Sequence, residues 1–435
     1  MFESIFIKRF SINIALGFIF TIGILEPVKA QVTDSLSLEY AIKQAIINDD
    51  WLAANEDREN ALREEAIYAG QLPDPKMMVS LMNLPVNSLN FDQEPMTQFR
   101  VGINQSFPRG DTLDLNQKQK LQQSDVNPYL RNERVASVTL RVTQLWLDSY
   151  LVQESINLIN NDRNLFEQLV EITDSRYRNA AGPARQQDLV RAQVELTRLD
   201  DRLTVLQQKL ENSRQQLAQW IPYQLVMIRI TPELPDLSSP NVVITDLDDA
   251  SNVFKRHPQV KAIDKQIDVS QTSVELAKQS YKPSFSLGAS YGYRDDGPFD
   301  MKRDDFISFE VSFDLPFFTE KRQKPKVEAA NFRASAVKTE RILLFKSLFA
   351  SYQQAISQLS VLEERRELFN ETLLAQIGDL TEATLAAYTA DEGDFEEVMR
   401  AYIAELNAKI EVLGIEIERQ KILAQLNYLL TVSTE

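Results

Sequence analysis

Val138 to Tyr177 reads VTLRVTQLWLDSYLVQESINLINNDRNLFEQLVEITDSRY, and the spacing inside it decides the fold. Val138, Val142, Leu145, Val152, Ile156, Ile159, Phe166, Val170 and Tyr177 fall on alternating steps of four and three, with Ser149, Arg163 and Thr173 filling the remaining steps. Beyond Asn179-Ala180-Ala181-Gly182-Pro183 the rhythm returns through Leu189, Ala192, Leu196, Leu199, Leu203, Leu206, Leu210, Leu217 and Trp220. Sustained over this length, the pattern is that of an antiparallel coiled coil folded back at Gly182-Pro183. The hairpin opens near Arg109, and its first arm is expected as one helix of about 70 residues, roughly 105 Å long. No compact globular domain has room for that. A second apolar stripe, Leu140, Leu147, Leu151, Leu158, Leu165, Leu169 and Ile172, runs beside the first. It fits the wide core face of an ordinary bundle, or a helix with neighbours on both sides in a curved wall.

The pattern occurs twice. Gln105-Ser106-Phe107-Pro108 matches Phe313-Asp314-Leu315-Pro316 at an offset of 208 residues, and Tyr177 with Gly182 matches Tyr388 with Gly393 at an offset of 211. Such duplication fixes architecture more firmly than any single propensity. In the first copy a helix is expected from Ser35-Leu36-Ser37-Leu38-Glu39 to about Gly70, stopped by Leu72-Pro73-Asp74-Pro75. In the second, a helix spans Asp264 to Lys282, and a long one runs from Lys324 to Tyr388. It breaks at Asp391-Glu392-Gly393-Asp394 and returns through Val398, Leu406, Ile410, Leu413 and Ile417 to Leu430. The boundaries expected are 1–30 for a leader, 31–220 for the first repeat, 221–249 for a proline-rich linker without helical period but with room for a short strand or helix of its own, and 250–435 for the second repeat.

Each repeat holds two alternating segments. Phe99, Val101 and Ile103 oppose Gln98, Arg100, Gly102 and Asn104, with a weaker partner from Lys76 to Asn83. Phe285, Leu287, Ala289, Tyr291 and Tyr293 oppose Ser284, Ser286, Gly288, Ser290 and Gly292; Ile307, Phe309, Val311, Phe313 and Leu315 oppose Ser308, Glu310, Ser312 and Asp314. Alternation alone fits a soluble sheet over a core as well as a membrane barrel. Strand lengths of about ten residues favour the barrel. So does the absence of a spare amphipathic helix to cover the sheet. Four strands cannot close a barrel whose smallest size is about eight, so several chains must contribute.

Composition removes other classes. The 435 residues include no Cys and a single His, His257, so thiolate sites, His-based triads and multi-His metal centres are out. Only 12 Gly and no GxGxxG or GxxxxGK[ST] argue against a nucleotide fold. A net charge of −16 disfavours nucleic acid and anionic membrane surfaces as partners. Met1 to Ala30 has Lys8 and Arg9 before an apolar run and Val28-Lys29-Ala30 at its end, the pattern of a cleaved secretory signal peptide. Met77, Met78, Met82 and Met96 cluster near the first strand pair, where they fill space or offer soft thioether ligands. No defined metal site, cofactor site or catalytic constellation emerges, and no enzyme is expected.

These residues resemble the TolC family of outer-membrane efflux ducts over essentially the whole mature chain. The resemblance rests on Leu38-Glu39-Tyr40-Ala41-Ile42 with Asn48, Leu72-Pro73-Asp74-Pro75, Gln105-Ser106-Phe107-Pro108, and Gln186-Gln187-Asp188-Leu189-Val190-Arg191-Ala192-Gln193, in this order. Two of these elements look closest to the heavy-metal branch of CusC- and CzcC-like proteins. The resemblance implies a mainly α fold with a small β part: long antiparallel coiled-coil helices forming a trimeric α-barrel, and a shared antiparallel transmembrane β-barrel with four strands per chain. It implies a homotrimer seated in outer-membrane lipid with its helical tunnel in the periplasm. It further implies docking on a periplasmic adaptor (a membrane fusion protein) and an inner-membrane RND-type pump, with metal cations as cargo. Drug efflux and type I protein secretion use the same duct fold. A periplasmic coiled-coil adaptor or scaffold without a pore is the competing reading, although it would carry one hairpin rather than two.

Carried over from the family, the tunnel gate falls on Asp391, Glu392, Asp394, Glu396, Glu397 and Arg400. The first ring carboxylate is Glu397, and the second ring position is occupied by Arg400, which is not acidic. Triplicated, the turn is a negative constriction that attracts cations, or else a solvated acidic turn with no selectivity role. An Arg400–Glu397 pair at i,i+3 is expected on one helical face. Asp188 and Arg191 are the first-repeat counterparts. The adaptor-docking tips are Ala181, Gly182 and Pro183 in one hairpin and Gly393 in the other, where glycine permits the reversal.

Overall fold

In this computed structural model, residues 35–178, 186–238, 240, 242–299, 301–390 and 392–433 are described. The expected leader, the first-hairpin tip with Ala181, Gly182 and Pro183, and Asp391 lie outside them. In chain order the helices and strands are α1 (Leu38–Ile47), α2 (Asp50–Ala69), β1 (Lys76–Met82), β2 (Gln98–Phe107), α3 (Thr112–Ser124), α4 (Asn127–Arg178) and α5 (Gln186–Leu217). Next come α6 (Tyr223–Val226), α7 (Leu247–Phe254), α8 (Pro258–Gln279), β3 (Ser284–Tyr293), β4 (Phe306–Asp314), α9 (Gln323–Glu367), α10 (Leu374–Thr389) and α11 (Phe395–Leu429). A π-helical turn, Leu368–Leu373, joins α9 to α10. The fold is mainly α, with a helix, a strand pair and a long helical hairpin occurring twice.

The heptad seam does what its spacing requires. Val138, Val142, Leu145, Ile159 and Phe166 are buried, as are Ala192, Leu199, Leu203 and Leu217 on the return arm. The second hairpin packs on the first through α11, whose Val398, Met399 and Leu406 join Phe166, Leu169 and Ala192 in one cluster. Of the second stripe, Leu147 and Leu169 are buried but Leu165 and Ile172 stay exposed.

Two expected continuities are broken, each by local chemistry. The first arm is not one helix: Pro128 lacks the N–H that would continue the ladder, and the Asn127 side chain donates instead to the carbonyls of Gln123 and Ser124, both at 3.2 Å. The N-terminal helix divides at Asn48, because the Asp49 carboxylate accepts from Trp51 N at 3.1 Å and so caps a new helix. The segment 221–249 is more than a linker. Its Ile221, Val226, Ile230 and Ile244 are buried, and Ile230 forms a parallel bridge with Leu36. Short apolar pairs without a helical period let this segment plug the core through the one-turn α6 and extended chain.

The second-repeat helix also begins earlier than Asp264. His257 caps it, with Nδ1 accepting from Gln259 N at 3.3 Å, and Pro258 occupies the first turn. His257 is 1 % exposed and lies edge-on to Tyr428 at 5.5 Å; its Nε2 has no partner among the described residues. Close by, Glu133 accepts from the Tyr428 hydroxyl and from Gln259 Nε2, both at 3.2 Å. Burial holds the imidazole below its ordinary 6.5 and pushes the Tyr428 phenol up. Below about pH 6.5 the unfolded chain takes up a proton that the folded chain resists, so stability present above that pH is lost as pH falls. The melting temperature is expected to drop between about pH 7 and 5, and less so for His257→Asn, which keeps a capping acceptor without a titration. Equal pH slopes for the two proteins would remove His257 from this role.

The four strands form one antiparallel sheet in the order β1-β2-β3-β4, with β2 paired to β3 across the repeat boundary. Arg109 fastens its base. The guanidinium donates to the carbonyls of Ser280 (3.2 Å) and Lys282 (2.9 Å) and pairs with Asp314. At the other end Arg294 donates to Pro95 O at 3.0 Å and Arg303 to Asp92 O at 3.0 Å, tying the two inter-strand loops together.

Candidate functional site: the exposed sheet and the distal turn

Register sorts the sheet into two faces. Met77, Ile103, Ala289 and Phe309 stand in one row, and Val79, Val101, Tyr291 and Ile307 in the next; Phe285 and Phe313 lie on the same face. Between these rows Met78, Gly102, Ser290 and Ser308 face the other way. The apolar face is uncovered: Ile307 is 70 % and Phe309 83 % exposed, and no described helix packs across the sheet. A soluble sheet over a core would show the reverse. Exposed apolar area of this extent marks a surface that meets lipid or another protein. The outer edges of β1 and β4 have no strand partner among the described residues. The methionines divide between the faces, and Met82 Sδ accepts from Arg100 Nη1 at 3.7 Å.

The distal turn follows α10. Asp394 caps α11 by accepting from Glu396 N at 3.3 Å, and Phe395 tucks its buried ring against Tyr388 at 5.7 Å. The Tyr388 hydroxyl is 3.4 Å from Thr173 Oγ1 on α4, so the turn is fastened to the first hairpin. Gly393 sits where an added Cβ would stand 2.7 Å from Tyr388 N and 2.9 Å from Ala387 C, both backbone atoms. Close approach, rather than a left-handed φ, therefore requires glycine here. Gly393→Val is expected to cost about 1–3 kcal/mol and to open the turn to limited proteolysis; unchanged cleavage kinetics would contradict this.

The carboxylates of the turn are unequal. Glu396 pairs with Arg400 one helical turn on and with Arg191 on α5, so one carboxylate joins the two hairpins. Hydrogen bonding from Arg400, then the charges of Arg191 and Arg400, hold its carboxyl below the usual range. The expected Arg400–Glu397 pair is therefore replaced by Glu396: i,i+4 brings the side chains together, and Glu397 points to solvent with Glu392 and Asp394. Asp188 is buried, whereas Arg191 stays half exposed. The link from Arg191 to Glu396 was invisible in the sequence because the two residues stand on different hairpins.

Neither a family model nor a curated protein matches the sequence. Solved structures do. CusC, described through the conformational changes accompanying folding and transmembrane channel formation, superposes with a TM-score of 0.70 over 91% of this chain and 92% of its own, at 15% identity. The Campylobacter jejuni CmeC outer membrane channel gives 0.74 over 92% and 87%, at 14% identity. The Vibrio cholerae outer membrane protein VceC gives 0.71 over 92% and 97%, at 12% identity. This chain has the TolC fold. No described helix is long and apolar enough to cross a membrane, and the sheet is the part of this chain with an uncovered apolar face.

Proposed function

We propose that the protein is the outer-membrane exit duct of a tripartite efflux system, a passive conduit and not an enzyme. The observation that carries this reading is the sheet, with its apolar face uncovered and two unpaired edges, on a chain with the fold of outer-membrane channels. Three copies would pair β4 of one with β1 of the next and close twelve strands into a barrel, with the polar face lining the lumen. Exposed apolar side chains on the helices fit the same assembly. Ile67 and Tyr68 on α2, Phe332, Ile342 and Leu343 on α9, and Leu165 and Ile172 on α4 would be covered by neighbouring copies. The division into repeats at 31–220 and 250–435 around an equatorial segment belongs to this proposal, as does export by a cleaved leader at 1–30.

The distal turns then face the periplasm, where Gly393 and the tip holding Ala181, Gly182 and Pro183 would dock on an adaptor linked to an RND-type pump. Glu392, Asp394 and Glu397, triplicated with Asp391, would ring the mouth and favour cations, so metal ions are the proposed cargo. Arg191 and Arg400 neutralise Glu396, and the Arg191 link between the hairpins would hold the closed state. Native mass of the detergent-extracted protein from isolated outer membranes tests the duct. A trimer is expected; a soluble periplasmic monomer or dimer would leave the coiled-coil scaffold as the reading.

A further inference from the structure

Below the sheet, α3, α8 and α9 enclose a cavity of about 660 Å³ whose lining has a one-sided charge. Arg109, Arg322, Lys326 and Arg333 border it, and no Asp or Glu does, in a chain whose net charge is −16. Arg109 is engaged by Asp314. Arg322, Lys326 and Arg333 have no carboxylate within ion-pair distance among the described residues, although most arginines of the long helices do. Their spacing puts them along one side of α9, with Arg322 and Arg333 roughly 16 Å apart along the axis.

The rest of the wall fits an anion as well. Asn116 and Ser284 supply amide and hydroxyl donors, and Leu276, Ala330 and Val337 give an apolar floor. Gln323 borders the same cavity, is 6 % exposed, and its Oε1 has no partner among the described residues. A buried acceptor left unpaired is costly, and an occupant carrying its own hydrogen-bond donor would satisfy it. Arg322, Lys326 and Arg333 are exposed and free of carboxylate partners among the described residues, so a phosphate can meet them through charge-assisted hydrogen bonds.

We propose that this cavity is a binding site for a phosphate-bearing anion that also carries a hydrogen-bond donor. Two sources share this chemistry: the headgroup of an anionic phospholipid and a free phosphate ester. The cavity lies immediately below strands read as membrane-spanning, at the level of headgroups, so the lipid source rests on the duct proposal while the anion chemistry does not.

The test uses the full-length protein in detergent, with dipalmitoyl phosphatidylglycerol and sn-glycerol 3-phosphate as probes and dipalmitoyl phosphatidylcholine as the neutral comparison. Native mass spectrometry reads lipid retention and titration calorimetry reads the soluble ester. Retention of phosphatidylglycerol over phosphatidylcholine, weakened about tenfold in the triple variant Arg322→Ala, Lys326→Ala, Arg333→Ala, assigns the lipid source. Binding of glycerol phosphate with the same loss assigns the free ester. If the triple variant does not fold, Lys326→Glu and Arg333→Glu are measured singly with the same expected loss. Binding that is absent, or equal in wild type and variants, overturns the site. Native mass of the wild type extracted from outer membranes reads the duct separately: a trimer without anion binding overturns the site alone, and anion binding by a soluble monomer or dimer overturns the duct alone.

Discussion

Val101→Arg is expected to remove the protein from the outer-membrane fraction, while Ser308→Lys is expected to leave it there. Val101 sits in the middle of β2, between Val79 and Tyr291 on the uncovered apolar face. A cation at the centre of a lipid-facing strand costs about 2–4 kcal/mol, and a trimer carries it three times. That is of the order of the whole margin by which a domain stays folded. Ser308 pairs with Ser290 on the opposite face, where a charge would meet water in the lumen. The measurement is the yield of urea-resistant, trimeric protein from washed outer membranes. Wild-type yield for Val101→Arg would mean that lipid does not contact this face, and the duct proposal would fall.

Trp146→Ala is expected to be the most damaging change in the helical body, at about 3–5 kcal/mol. The indole is 0 % exposed, stacks on Tyr150 at 5.5 Å, and donates from Nε1 to Leu36 O at 3.0 Å. Through Leu36 it secures the bridge to Ile230, so one ring on α4 fastens both the start of the described chain and the equatorial segment. Trp146→Phe keeps most of the apolar volume and loses the hydrogen bond. Its cost is expected at about 1–2 kcal/mol, because the Leu36 carbonyl still accepts from Thr231 N at 3.3 Å. Denaturant unfolding of the detergent-solubilised protein checks both. A loss below about 1 kcal/mol for the alanine variant would show that the surrounding core can collapse into the space.

Long-period features were legible and single-residue geometry was not. The coiled-coil hairpins and the four strands are written in repeated spacings, each supported by many residues at once. Helix ends are decided by individual groups: the Asn127 amide replaces the donor that Pro128 lacks, and the Asp49 carboxylate caps a helix two residues after another ends. Both signals were present as Asn-Pro and Asn-Asp pairs, but each falls in the interior of a longer expected helix. Arg322, Lys326 and Arg333 were readable as a cationic face on α9. What gave them meaning was the cavity beside α3 and α8, which no spacing contains.

By itself, then, the sequence determined the duplicated order of helix, strand pair and hairpin, because hydrophobic period and turn residues are local properties that fix element type. It also determined that the strands have one apolar and one polar side. That the apolar side is uncovered was decided only by the tertiary structure, because alternation is identical for a sheet over a core and a sheet in lipid. The difference lies in what packs across it, and no described helix does. The pairing of Glu396 with Arg191 was likewise settled only in three dimensions. It depends on how α11 lies against the first hairpin, a relation between elements far apart in the chain.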